Sequence, residues 1–139
     1  MKVLNRPNLT AICAAVLIFN FSSCKYEDGP SLSLRTKKAR LAGEWIIEKY
    51  IDSDGTETAV KEADSPVVTF EKDGTGNVSF TFLGTTSTSK FDWEFTDSKK
   101  KLKTTDEDGD VFTEEILRLT NKEFWTIDED KDKTYYKAK

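Results

Sequence analysis

Beyond Gly43 the chain alternates between short runs of β-branched and aromatic residues and turns rich in Asp, Gly, Lys and Asn, the pattern of an all-β domain. Eight runs are legible, at residues 45–51, 67–71, 77–83, 90–96, 101–105, 111–119, 124–127 and 134–137. Connections such as Asp73-Gly74-Thr75-Gly76 and Thr120-Asn121-Lys122 are too short for a crossover, so consecutive runs must pair antiparallel in an up-and-down meander. Val78, Phe80 and Phe82 alternate with Ser79 and Thr81, and Phe91, Trp93 and Phe95 alternate with Asp92 and Glu94, so one face is aromatic and the other polar. An open sheet would leave two bare edges and an uncovered aromatic face. Closure removes both, which predicts a small eight-stranded antiparallel barrel. Its expected inward set is Trp45, Ile47, Phe70, Val78, Phe80, Phe82, Phe91, Trp93, Phe95, Leu117 and Trp125. Ahead of the first run, residues 33–42 predict a short helix with Leu34 and Leu41 on one face and Gly43 as its stop.

The amino terminus carries a different pattern. Lys2 and Arg6 precede an apolar stretch from Leu9 to Phe21 broken only by Thr10 and Asn20, followed by Ser22-Ser23-Cys24. A basic start and an apolar core of roughly 7–15 residues read as a secretory signal, too short for the ~18 residues of a membrane span. The small residues before Cys24 resemble the lipobox of bacterial lipoproteins. That resemblance implies removal of residues 1–23, acylation of Cys24 and a partner in the membrane itself. Lys25-Tyr26-Glu27-Asp28 resembles the Lys/acidic export signal of Bacteroidetes-type lipoproteins, which implies an outer-membrane lipoprotein facing the periplasm or the cell surface. The competing reading is an ordinary secreted protein cleaved near Ser23. The expected organisation is a signal peptide at 1–23, a lipidated tether at 24–33 and a barrel domain at 34–139.

Leu41-Ala42-Gly43-Glu44-Trp45, where the short helix meets the first strand, resembles the Gly-x-Trp signature of lipocalins and the wider calycin group. Val68-Thr69-Phe70-Glu71-Lys72-Asp73-Gly74-Thr75-Gly76, then Phe91-Asp92-Trp93, then Ile116-Leu117-Arg118-Leu119-Thr120 are similar in kind and order to the lipocalin-like lipoproteins of Bacteroidetes. The resemblance spans residues 34–137. It implies a barrel closed at the Gly43-x-Trp45 end and open at the other to a small apolar molecule, with Trp45, Ile47, Phe70, Phe80, Phe82, Phe91, Trp93, Phe95 and Trp125 as candidate lining. In lipocalins an Arg near the last strand partners the first-strand Trp; here Lys137 and Lys139 stand in that region. Eight-stranded barrels range from filled by side chains to holding one ligand, and the sequence leaves both open.

Composition narrows the chemistry. The 139 residues include no His, which excludes imidazole-based catalysis and His metal ligands. Processing would discard Cys13 and acylate Cys24, leaving no thiol or disulfide in the domain. It would also remove Lys2 and Arg6 and no acid, moving the formal charge from −4 to −6, which argues against nucleic acid as a partner. The Asp106-Glu107-Asp108-Gly109-Asp110 run lacks the EF-hand order, and Asp128, Asp130 and Asp132 are interspersed with Lys131 and Lys133, so both read as turns and no metal is expected. Asp92 and Glu94 share the polar face and read as surface. No phosphate loop, nucleophile elbow or cofactor fingerprint is present, so neither an enzyme nor a cofactor is expected. Two functions remain. One is a lipid-anchored binding protein for a small hydrophobic ligand; the other is an accessory or inhibitory protein with a filled core that meets an envelope partner through its loops, foremost the 52–64 connection.

Overall fold

In the computed structural model, which describes residues 34–139, antiparallel strands run up and down in sequence order and the last closes on the first. The signal peptide at 1–23, Cys24 and the tether at 24–33 lie outside the described residues. The elements are α1 (Lys37–Leu41), β1 (Gly43–Ile51), β2 (Glu57–Ala59), β3 (Val67–Phe70), β4 (Thr75–Phe82), β5 (Thr85–Thr96), β6 (Lys101–Asp106), β7 (Val111–Leu119), β8 (Glu123–Ile127) and β9 (Lys133–Ala138). One edge of β1 is shared, Gly43–Ile46 pairing with β3 and Lys49–Ile51 with β2, while the other edge pairs with β9. Counted around the axis, the barrel therefore has eight strands. The eight expected runs are all present, and β2 is an addition inside the connection read as a loop.

The helix is shorter than expected. Thr36 is its cap, its hydroxyl accepting from the Ala39 amide at 3.1 Å, and Leu34 lies outside it, fully exposed, whereas Leu41 is fully buried. From Leu41 the chain turns into β1 through Gly43, whose φ of +143° is open to glycine and strained for any side chain. The helix thereby plugs one end of the barrel. Trp45 Nε1 donates to the Leu41 carbonyl at 2.8 Å, and Arg40 reaches the Leu119 carbonyl at 3.1 Å, so helix, first strand and β7 are tied at the closed end. The carbonyl of Leu41 thus meets the polar need of the buried indole.

The core is one cluster of Leu41, Trp45, Val68, Phe70, Trp93, Leu102, Ile116, Leu119 and Phe124. Phe70 is its hub, meeting Phe91, Trp93 and Phe124 edge-on at centroid distances of 5.4, 5.7 and 6.0 Å. Phe91 in turn lies over Gly76 on the neighbouring strand. A Cβ built at Gly76 would fall against the Phe91 ring and 2.6 Å from the Thr69 carbonyl.

Four expected inward positions do not point inward. Phe80 and Phe82 lie on the same parity as Val78, but β3 pairs with β4 only as far as Ser79 and β6 pairs with β5 only from Phe91. The β4–β5 hairpin therefore outruns its neighbours, and Phe80 and Phe82 stand exposed beyond the rim, stacked on each other at 6.5 Å. This extension also recruits the polar segment 85–89, expected to be loop, as strand. Trp125 faces outward, because Phe124 and Thr126 on either side are buried; its ring packs on Tyr135 and under the Arg118 guanidinium. Leu117 falls at a bulge, since Ile116 pairs with Thr126 and Arg118 with Trp125, and the buried pair of β7 is Ile116 and Leu119.

Gly76→Ala is expected to lower the unfolding free energy by about 1–3 kcal/mol, because the Phe91 ring must be displaced from the core. Urea unfolding measures this, and an unchanged midpoint would show that the ring and the Thr69 strand yield freely.

Candidate functional site

Strand direction grades the interior. At the helix end the inward positions are Trp45, Phe70, Trp93, Leu102, Leu119 and Phe124, large apolar groups that interlock. Two to four residues further toward the other end the same strands offer Val68, Ser89, Thr104 and Thr126, and β4 adds Val78. Smaller side chains among them leave a cavity of about 260 Å³, walled by Val68, Phe70, Val78, Phe91, Phe124 and Tyr136 and opening at the mouth. An apolar cavity of ~150 Å³ suffices to hold benzene, so this one has room for a single small molecule.

The candidate lining residues divide accordingly. Phe70 and Phe91 wall the cavity. Trp45 and Trp93 are buried in the filled half, where Trp93 Nε1 donates to the Thr75 and Glu71 carbonyls at 2.9 and 3.1 Å, and Phe95 packs edge-on against Trp93. Ile47 is buried opposite Tyr136 on β9 without reaching the cavity. Phe80, Phe82 and Trp125 are outside it.

Sequence reasoning missed Phe124, Tyr136 and, above all, Glu114. The signal for Glu114 was available: on β7 it shares parity with Phe112 and Ile116, an acid between two apolar residues on the inward face. Glu114 lies at the mouth of the cavity and also borders a second hollow of about 450 Å³, an outer vestibule lined by Val111, Phe112, Asp128, Glu129 and Asp130. Thr126, fully buried, donates its hydroxyl to Glu114 Oε1 at 3.3 Å. Glu114 pairs with no lysine or arginine among the described residues. Burial, reinforced by Asp128, pushes its carboxyl above the usual range against the pull of the Thr126 hydroxyl. Burial also raises the Tyr136 phenol, with Glu114 and Tyr50 acting in the same direction.

The two ends carry opposite charge. The connections at the open end, 52–56, 83–84, 107–110 and 128–132, hold nine carboxylates and one lysine. At the closed end, α1 and the turns 71–74, 97–100 and 120–122 hold seven lysines and arginines against three acids. Several open-end acids cap their own turns, as Asp106 does by accepting from the Asp108 and Asp110 amides at 3.0 and 2.9 Å. Among the described residues no group of three or more Asp, Glu, Cys or His is arranged to hold a metal ion.

A lipocalin-like domain model matches residues 41–125, the stretch from the Leu41 plug into β8. The fold is similar to that of a lipocalin-like protein from Bacteroides uniformis ATCC 8492, at 17% identity and a TM-score of 0.62 over 72% of this chain and 99% of that one. It is similar also to an uncharacterized protein from Bacteroides eggerthii DSM 20697, at 15% identity and a TM-score of 0.61 over 71% of this chain and 99% of that one. At these identities the likeness shows the shared barrel. No curated protein matches the chain.

Because the Glu114 carboxyl is raised in the folded state, the unfolded chain ionises first as pH rises, and stability falls between the ordinary value of 4.5 and the raised native one. Glu114→Gln is therefore expected to raise the thermal midpoint at neutral pH and to leave it unchanged in acid, where both states are protonated. Melting curves at the two pH values test this; a neutral-pH loss would mean that the carboxylate stabilises the empty barrel.

Proposed function

Since the chain belongs to the lipocalin-like domain family, we propose that it is a non-enzymatic, lipid-anchored envelope protein that holds a small apolar molecule in the open half of its barrel. The cavity among Val68, Phe70, Val78, Phe91, Phe124 and Tyr136 carries this reading. A core needed only for stability would be filled at this end as it is at the helix end, because unfilled apolar volume costs packing energy of about 24 cal/mol per Å³. The anchor is Cys24, with residues 1–23 removed, and the outer membrane is the destination. In this arrangement the tether joins the domain next to α1, so the basic closed end sits nearest the lipid and the mouth faces away from it. Lysines and arginines near an anionic leaflet add to the hold of the acyl chains.

A second reading, an interaction protein acting through its loops, is favoured by the overhanging hairpin, where Phe80, Phe82 and Leu83 are exposed together. The two readings separate experimentally. The neutral fluorophore N-phenyl-1-naphthylamine is expected to bind with enhanced emission, to lose about tenfold or more in affinity in Val78→Trp, whose ring occupies the cavity, and to bind unchanged in Phe82→Ser. Binding that depends on Phe82 and ignores Val78 would move the site to the hairpin. Cys24→Ala is expected to release the protein from the membrane fraction on cell fractionation, and continued association with the membrane would remove the lipid anchor from the account.

A further inference from the structure

We propose that the molecule held in the cavity is a small apolar body ending in a protonated amine, with Glu114 as the group that receives the ammonium; this rests on the cavity-binding reading above. The position of Glu114 makes the argument. It is the carboxylate between an apolar chamber and an acidic vestibule, lining both. Of the roughly four lone-pair sites a carboxylate offers, one is taken, by the Thr126 hydroxyl. The other charged and titratable groups around it are Asp106 and Lys90 at the cavity rim, Tyr136 across the interior, and Asp128, Glu129 and Asp130 in the vestibule beyond the mouth. Lys90 and Asp106 oppose one another, which leaves the lining one negative charge in excess.

A buried carboxylate without a cation is destabilising, and each class of ligand changes that differently. A neutral apolar molecule covers Glu114 further and gives it nothing. An anion meets Glu114, Asp106 and the acidic loops and is repelled. An alkyl or arylalkyl ammonium places its hydrocarbon among Val68, Phe91 and Phe124 and its N–H donors toward Glu114, where a charge-assisted bond forms in a poorly hydrated site. The nine carboxylates of the open-end connections would raise the local concentration of such a cation, most strongly at low salt. Charge excess at the mouth and an unpaired carboxylate inside point to the same ligand class from two separate sets of residues.

The test uses the full chain and compares decylamine with decanol as competitors of bound N-phenyl-1-naphthylamine near neutral pH. Decylamine is expected to bind at least about tenfold more tightly than decanol, the scale of one charge-assisted hydrogen bond. Glu114→Gln should erase that preference while leaving decanol within about twofold. In the unaltered protein the preference should shrink as pH falls through the Glu114 carboxyl, which decides the matter should the variant fail to fold, because the amine itself stays protonated throughout. Equal affinities, or a preference that persists in Glu114→Gln and is indifferent to pH, would overturn the amine inference while decanol binding leaves the cavity reading standing. Failure of the fluorophore and both competitors to bind would overturn the cavity reading and this inference with it.

Discussion

Everything in this structure depends on β1 having a partner on both edges. Its first half pairs with β3, its second half with β2, and its far edge with β9, so a meander that would otherwise end in two bare strands becomes a cylinder. The helix then has one end to plug. Leu41 enters that end, Trp45 binds its carbonyl, and Gly43 supplies the backbone angle that lets the two residues meet. Closure also turns a face into an interior, so residues that are merely on one side of a sheet become residues that must fill an enclosed space or leave it empty.

The change in inward side chains along the strands explains why this barrel is both filled and hollow. Near α1 the inward positions are aromatic or leucine and reach the axis, with Phe70 touching three rings at once. Toward the mouth valine, serine, threonine and one glutamate replace several of them, and with Phe91 and Tyr136 they surround a cavity instead of filling it. A barrel stabilised in one half can tolerate an unfilled other half. The helix end supplies the packed core, and the proposed ligand site lies at the mouth beside the partly buried Glu114.

Much of the fold was legible because period-two alternation survives in most strands. The runs, their order, the closure and the helix-to-Trp45 junction all follow from patterns a few residues long. What escaped was set by relations between strands. Alternation in β4 continues through Phe80 and Phe82, yet nothing within that strand says that β3 stops at Ser79. At Phe124-Trp125 two aromatics are adjacent, and the larger one is the wrong choice; only the pairing with a bulged β7 fixes which faces in. Leu117 was misplaced by that same bulge. Glu114 was visible on the inward parity but was passed over because acids are ordinarily read as surface, and its burial is the kind of exception that marks function.

The central claim is that the barrel is solid at the helix end and hollow and apolar at the mouth. Crystals pressurised with xenon test it most directly, since xenon occupies dry apolar cavities and ignores filled cores. The account predicts a xenon atom among Val68, Phe91, Phe124 and Tyr136 and none around Trp45, Leu102 and Leu119. Side chains collapsed into the mouth with no xenon there would contradict it.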